Sequence, residues 1–201
     1  MNKNQILALN ALCVVIAVAV SWAVFTVASD YDDDIVKPGT IQEDISHITD
    51  VQIPALVHSH QIQSDLLEGV EEAFAYVILN DDNEKDEFYK KMSDFEKRVN
   101  VYIKFSPNIE DKPEDVEETE LLDAIILAQK SLVKSATVMF ESHESGDLDM
   151  ATVLAFEKDI DEIVPLVDEL IEEEIEDINE HVHEIGEKVK ESSSDDEDDD
   201  D

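Results

Sequence analysis

Apolar residues recur at intervals of three and four between residues 53 and 83, the most regular stretch of the chain. At about 100° per residue, this spacing places Leu66, Val70 and Ala73 on one face of an α-helix, with the neighbouring glutamates mainly outside it. The polar residues 80–83 are typical of a turn. The pattern therefore predicts an amphipathic helix that buries one side and then reverses direction.

The same spacing continues downstream, and proline and glycine residues mark its interruptions. Pro54 predicts a kink or break in the first helix, two prolines lie in a loop at 106–114, and Pro165 predicts a bend in the last helix. Short reversals after the first and third helices predict an all-α fold, an antiparallel up-and-down four-helix bundle. The predicted helices span residues 41–79, 84–104, 115–142 and 148–189.

Residues 6–28 are almost continuously apolar and, as a helix, would span roughly 35 Å, enough to cross a bilayer. We expect a single-pass protein of the cell membrane with its C-terminal domain outside the cytoplasm, or a secreted protein if the N-terminus is a cleaved signal peptide. The predicted organisation is a membrane anchor or signal peptide at 1–29, an acidic linker at 30–40, the bundle at 41–190 and a disordered acidic tail at 191–201.

Composition narrows the functions open to such a bundle. The formal net charge of −38 repels phosphate backbones and disfavours nucleic acid as a partner. Cys13 is the only cysteine and lies in the apolar N-terminal stretch, which excludes a disulfide framework. The sequence has no nucleophile elbow, phosphate-binding loop or metalloprotease motif. We therefore expect a protein that is not an enzyme.

Three stretches carry a family resemblance: IPAL at Ile53–Leu56, AFAYVILNDDNEKDEFYKKM at Ala73–Met92, and MFESHESGDLDMATVLAFEKDIDEIVPLVDEL at Met139–Leu170. Together with the apolar N-terminal helix, they resemble the four-helix-bundle sensor domain of bacterial and archaeal chemoreceptors and sensor kinases. The resemblance implies an extracytoplasmic, homodimeric module that binds a small ligand or a protein and acts on a membrane signalling partner. The chain departs from the family in having no second predicted span and no cytoplasmic output, and Arg98 is its only arginine.

Four polar residues fall on the predicted inward faces and are candidate ligand-binding residues: Gln52, Ser59 and Gln63 on the first helix and Gln129 on the third. Alignment from the turns places Gln63 and Gln129 at the same height, where they could hydrogen-bond across the core. Two interpretations remain open, a polar layer that fixes helix register and a ligand pocket.

Glu174 and His181 point inward on the last helix, one heptad apart, and the bundle alignment brings them level with a stretch that contains His47. Carboxylate and imidazole groups suit a divalent metal ion. The same helical wheel, however, aims His47 outward, so solvated or structural histidines are the competing interpretation. No other cofactor is expected.

These observations predict a membrane-anchored, extracytoplasmic, sensor-like helical bundle that binds a small ligand or a protein partner without catalysis. Two alternatives stay open, an acidic protein of the cell envelope that binds divalent metal ions and a structural protein of the envelope.

Overall fold

The structure is a computed structural model that describes residues 38–105 and 114–194. Within these ranges the regular elements are helical and no strand occurs, which confirms the predicted all-α class. A compact unit spans Thr40–Lys190. The α-helices are α1 (Pro38–His47), α2 (Ile53–Leu79), α3 (Asp82–Phe105), α4 (Glu114–Ser145) and α5 (Met150–Ser194).

The interruption predicted at Pro54 takes the form of a change in helix type. A π-helical segment, Ile48–Gln52, joins α1 to α2, and the N–H of Ile53 donates to the carbonyl of Ile48. Proline has no N–H, and in a regular α-helix its ring would press on the carbonyl four residues earlier. The wider turn relieves this conflict, so the backbone stays helical through the proline.

Contacts between helices show that neighbours run antiparallel. Between α2 and α5, Gln63 pairs with Asp168 and Phe74 with Phe156, so rising residue numbers on one helix meet falling numbers on the other. The contacts between α3 and α4 follow the same rule. The described helices therefore form a bundle, and its core draws on all four long helices. The largest fully buried side chains are Tyr76, Tyr102, Phe88, Phe95, Phe140, Phe156, Ile62, Leu66, Ile125, Leu132, Met139 and Ile163.

α2 and α3 approach closely at Gly69, where an added methyl group would clash with the end of the Met92 side chain. The sequence pattern centres the buried face of α2 on Val70. In the structure Val70 is half-buried, whereas Gly69, Ala73 and Tyr76 are buried. The small residues lie at the centre of the face because α3 packs directly against the backbone there.

At the α2–α3 and α4–α5 turns, the preceding helix ends in a residue with left-handed backbone conformation. Asn80 ends α2 with φ of 54°, and Gly146 ends α4 with φ of 79°. At the second turn, the N–H of Gly146 donates to the carbonyl of His143 and the N–H of Asp147 to that of Ser142, the hydrogen-bond pair of a Schellman motif. The end of the bundle that carries both turns is called the hairpin end below.

The structure corrects the prediction of a single-pass membrane location. Across residues 38–105 and 114–194, no helix is both long and apolar enough to cross a membrane. The apolar stretch 6–28 and residues 195–201 lie outside the described ranges. α5 itself continues to Ser194, beyond its predicted end at residue 189.

Candidate functional site

Two histidines and a glutamine meet at the end of the bundle opposite the hairpin end. The ring centroids of His47 and His181 are 5.3 Å apart, and their planes are inclined by 40°. Nδ1 of His181 lies 3.0 Å from Nε2 of Gln52 and 3.0 Å from the carbonyl oxygen of Asp177. Gln52 is 6% exposed, and its Oε1 is buried without a hydrogen-bond partner. We call these three side chains the histidine layer.

The outward orientation expected for His47 is wrong, because the side chain is half-buried and faces His181. The helical wheel assumed 100° per residue throughout. The π-helical segment Ile48–Gln52 has a smaller rotation per residue, and this turns α1 relative to α2. Glu174 does not join the histidine layer. It lies two turns away from His181 along α5, roughly 10 Å, and has different partners.

Glu174 belongs to a second polar layer with Tyr102 and Glu118. The hydroxyl of Tyr102 is 2.9 Å from Oε1 of Glu118 and also contacts Oε1 of Glu174. Tyr102 is 1% exposed and Glu174 is 9% exposed. Burial raises the pKa of Glu174 to about 7, and burial together with the two carboxylates raises the pKa of Tyr102 above its ordinary value.

A third layer contains an ion pair that the sequence pattern does not reveal. Arg98 on α3 donates from Nε to Asp65 on α2, which is 5% exposed, and from Nη1 to Oε1 of Gln61 at 2.5 Å. Lys91 lies 3.7 Å from the same aspartate. The one available signal was that Arg98 is the only arginine of the chain. Its charge is used within the bundle to balance a buried carboxylate.

The four candidate ligand-binding residues are not gathered into one pocket. Gln63 donates to Oδ1 of Asp168 at 2.6 Å, and Gln129 donates to the carbonyl of Met92 at 3.3 Å, so the expected bond between the two glutamines is not formed. Ser59 is fully buried and donates to the carbonyl of Leu56, 2.9 Å away. Gln52 alone retains an unsatisfied buried atom, and it belongs to the histidine layer.

The hairpin end is held by a cluster of aromatic and charged side chains. Tyr76 and Phe140 pack edge to face with ring centroids 4.9 Å apart, and the Lys85 ammonium lies 5.7 Å from the Tyr76 ring centroid. Glu144 accepts hydrogen bonds from Lys85 and from the Tyr76 hydroxyl. His143 contacts Oδ1 of Asn80 at 3.0 Å, which ties the α4 end to the α2 turn. This cluster fixes the relative positions of the two turns.

Several large apolar side chains at the hairpin end are exposed to solvent. Ile78 and Leu79 at the end of α2 are 76% and 65% exposed, and Met150 and Leu154 at the start of α5 are 70% and 53% exposed. We call these four residues the apolar tip. Beside it, an open groove of about 450 Å³ lies between α4 and α5. Its lining residues are Ser131, Lys134, Ser135, Val138, Asp149, Ala151, Thr152, Ala155 and Asp159.

Within the described ranges, no group of three or more His, Cys, Asp or Glu side chains is placed to hold a metal ion. The metal hypothesis for His47, Glu174 and His181 thus stays a prediction, now divided between two layers. Searches against family models, curated proteins and solved structures found no match.

Proposed function

We propose that this chain is a non-enzymatic helical-bundle module that binds a protein partner through its hairpin end. The observation that carries the proposal is the apolar tip, in which Ile78 and Met150 are 76% and 70% exposed on a chain of net charge −38. All four large apolar side chains of the apolar tip are more than half exposed at the same end of the bundle. Clusters of such residues rimmed by polar ones are typical of protein interaction sites.

The charges around the apolar tip indicate the chemistry of the partner. Asp81, Asp82 and Asp147 are exposed at this end of the bundle, and the exposed Lys158 further along α5 is paired with Glu162. An apolar centre with an acidic rim is complementary to an apolar protrusion flanked by lysine or arginine side chains. Opposite charges would also accelerate association at low ionic strength.

The cluster beneath the apolar tip supports binding by holding its shape. Tyr76 and Phe140 are 1% and 0% exposed, and Lys85 and Glu144 bridge α3 to α4 beside them. A surface supported in this way loses little conformational entropy when a partner binds. The sensor-like character of the proposal rests on the sequence resemblance to chemoreceptor bundles, which also implies a homodimer.

Site-specific cross-linking in the cells that make the protein tests this proposal. A photoreactive amino acid at Leu79 should give a discrete cross-linked product after illumination. The same amino acid at Ile175, an apolar residue of α5 that is 43% exposed away from the hairpin end, is the matched control and should give none. Adding Ile78→Ser and Met150→Ser to the Leu79 protein should reduce the product at least tenfold.

Equal products from positions 79 and 175 would show unspecific contact and contradict the proposal, as would the absence of a product at 79. A product with twice the mass of the chain would assign the apolar tip to self-association and overturn the assignment to a different protein. Circular dichroism of the serine variants establishes that they fold, which is expected because both side chains are mostly exposed.

A further inference from the structure

We propose that His47 and His181 form a binding site for a transition-metal ion of the zinc, nickel and copper class, completed by the side-chain amide of Gln52 and water. The site lies at the end of the bundle opposite the apolar tip, and it does not depend on the proposed partner binding. Three observations at the histidine layer support it: the separation of the rings, the hydrogen bond of His181 and the unsatisfied amide oxygen.

The separation of the two imidazoles matches the geometry of a shared ion. Zn–N bonds of about 2.0–2.1 Å and tetrahedral angles place the centroids of two ligating rings about 5 Å apart. The centroids of His47 and His181 are 5.3 Å apart. The rings come from α1 and α5, so an ion between them would join the first and last helices of the described bundle.

The backbone presets His181 for metal binding. Its Nδ1 lies 3.0 Å from the carbonyl oxygen of Asp177, an acceptor that favours an N–H at this position. The lone pair is then on Nε2, the nitrogen that remains to bind an ion. Metal-ligating histidines commonly donate their other ring N–H to a backbone carbonyl, which fixes the orientation of the ring.

Gln52 supplies the third observation. Its Oε1 is buried without a hydrogen-bond partner, and with the N–H of His181 on Nδ1 the nearby Nε2 of Gln52 makes no hydrogen bond to that ring nitrogen either. A buried oxygen of this kind is unfavourable unless something donates to it or binds it. A metal ion, or a water molecule on that ion, satisfies it, and glutamine oxygens occur as weak ligands beside histidines.

The ligand set also determines which ions are expected. Two imidazoles favour zinc, nickel and copper, whereas calcium and magnesium prefer all-oxygen sites. The acidic surface attracts every divalent cation, because the chain carries 52 acidic and 14 basic side chains. Selectivity for the first group over the second therefore distinguishes the histidine layer from general attraction to the surface.

Titration of the full, untagged chain with ZnCl₂ tests the proposal. Isothermal titration calorimetry measures the binding, and thermal melting measures the change in Tm. We expect one selective site per chain and a rise in Tm with zinc or nickel that equal concentrations of magnesium or calcium do not produce. His47→Ala and His181→Ala should each weaken zinc binding at least tenfold. His183→Ala is the matched control, since His183 is an exposed histidine on the same helix.

A second measurement does not require the variants to fold. In side-chain NMR spectra of the unaltered chain, substoichiometric zinc should shift the imidazole resonances of His47 and His181 and leave those of His60 and His183 in place. Equal responses to magnesium and zinc, an equal loss of affinity in His183→Ala, or shifts at histidines outside the layer would each overturn the proposal.

Discussion

Glu174 is buried although α5 offers many exposed positions for an acidic residue. Tyr102 has one hydroxyl proton and contacts both Glu118 and Glu174, so both contacts are hydrogen bonds only when one carboxyl group is protonated. Burial raises the pKa of Glu174 to about 7, with Glu118, Asp177 and Glu173 adding repulsion. Below about pH 7, Glu174 therefore holds a proton in the folded state.

Because of Glu174, we expect the free energy of unfolding of the chain to fall as the pH rises from about 4.5 to about 7. The folded pKa of Glu174 lies above its ordinary value of 4.5, so in this window the folded state keeps a proton that the unfolded state has released. The stabilisation is complete below the lower value and lost above the higher one. Urea denaturation at a series of pH values should show that Glu174→Gln gains roughly 3 kcal/mol relative to the unaltered chain across this window.

The hydrogen bond with Glu84 also raises the pKa of Glu72 to about 7, so the difference in unfolding free energy between Glu174→Gln and the unaltered chain is the informative quantity. Glu176→Gln, an exposed change on the same helix, is the control and should follow the unaltered chain at every pH. Parallel curves for Glu174→Gln and the unaltered chain would show that Glu174 does not hold the proton.

The buried Asp65 gives a second expectation at this scale. Arg98→Ala removes the main partner of the Asp65 carboxylate and leaves it in the bundle with the Lys91 ammonium 3.7 Å away. Removal of one partner from a buried pair costs about 3–5 kcal/mol, and we expect about 2 kcal/mol because Arg98 is 38% exposed. Lys97→Ala, which removes an exposed pair with Asp94, should cost much less than Arg98→Ala. Equal losses in urea denaturation would assign no special role to the Asp65 pair.

At the residue scale, the sequence predicts which side chains are buried better than it predicts their hydrogen-bond partners. The burial of Gln52, Ser59 and Gln129 follows from helical spacing, because the wheel gives the direction of each side chain. The wheel does not give the axial offset between helices. Gln63 consequently meets Asp168 on α5, and the pairing with Gln129 expected from the turns does not form.

At the scale of the elements, two glycines with opposite roles allow a matched test. Gly146 ends α4 at φ of 79°, where an alanine is strained, whereas Gly186 lies inside α5 with open space around it. Gly146→Ala should destabilise the chain by about 1 kcal/mol, and Gly186→Ala should stabilise it by about 0.5–1 kcal/mol. Denaturant midpoints of the two variants should move in opposite directions. A shift of both in the same direction would contradict either the left-handed end of α4 at Gly146 or the helical position of Gly186 inside α5.

The α1–α2 junction shows where prediction of an element stops. Pro54 identifies an interruption, because a missing N–H and a bulky ring are properties of the residue itself. How the backbone accommodates it depends on the whole segment. The π-helical turn Ile48–Gln52 adds roughly one residue of rotation, about 100°, and thereby turns His47 toward α5.

At the scale of the whole molecule, the all-α class could be predicted because long helical stripes leave few other ways to bury their apolar faces. Membrane location could not be predicted in the same way, since the prediction depended on residues 6–28 alone and the described helices do not support it. The stability of the bundle also depends on the balance between the chain's net charge of −38 and the ion pairs between its helices. These two effects respond to salt in opposite directions.

We expect sodium chloride to raise the melting temperature of the chain. The Debye length falls from about 30 Å at 0.01 M to about 3 Å at 1 M ionic strength, so salt screens repulsion between exposed carboxylates across the bundle. The Asp65–Arg98 pair is partly shielded by burial and loses less. A gain of about 2 kcal/mol would raise Tm by roughly 4–8 °C for a chain of this size. Calorimetry from low to high sodium chloride at constant pH measures the change, with an equal series in sucrose to identify effects of excluded solute. A Tm that falls with sodium chloride would show that ion pairs outweigh repulsion in this bundle.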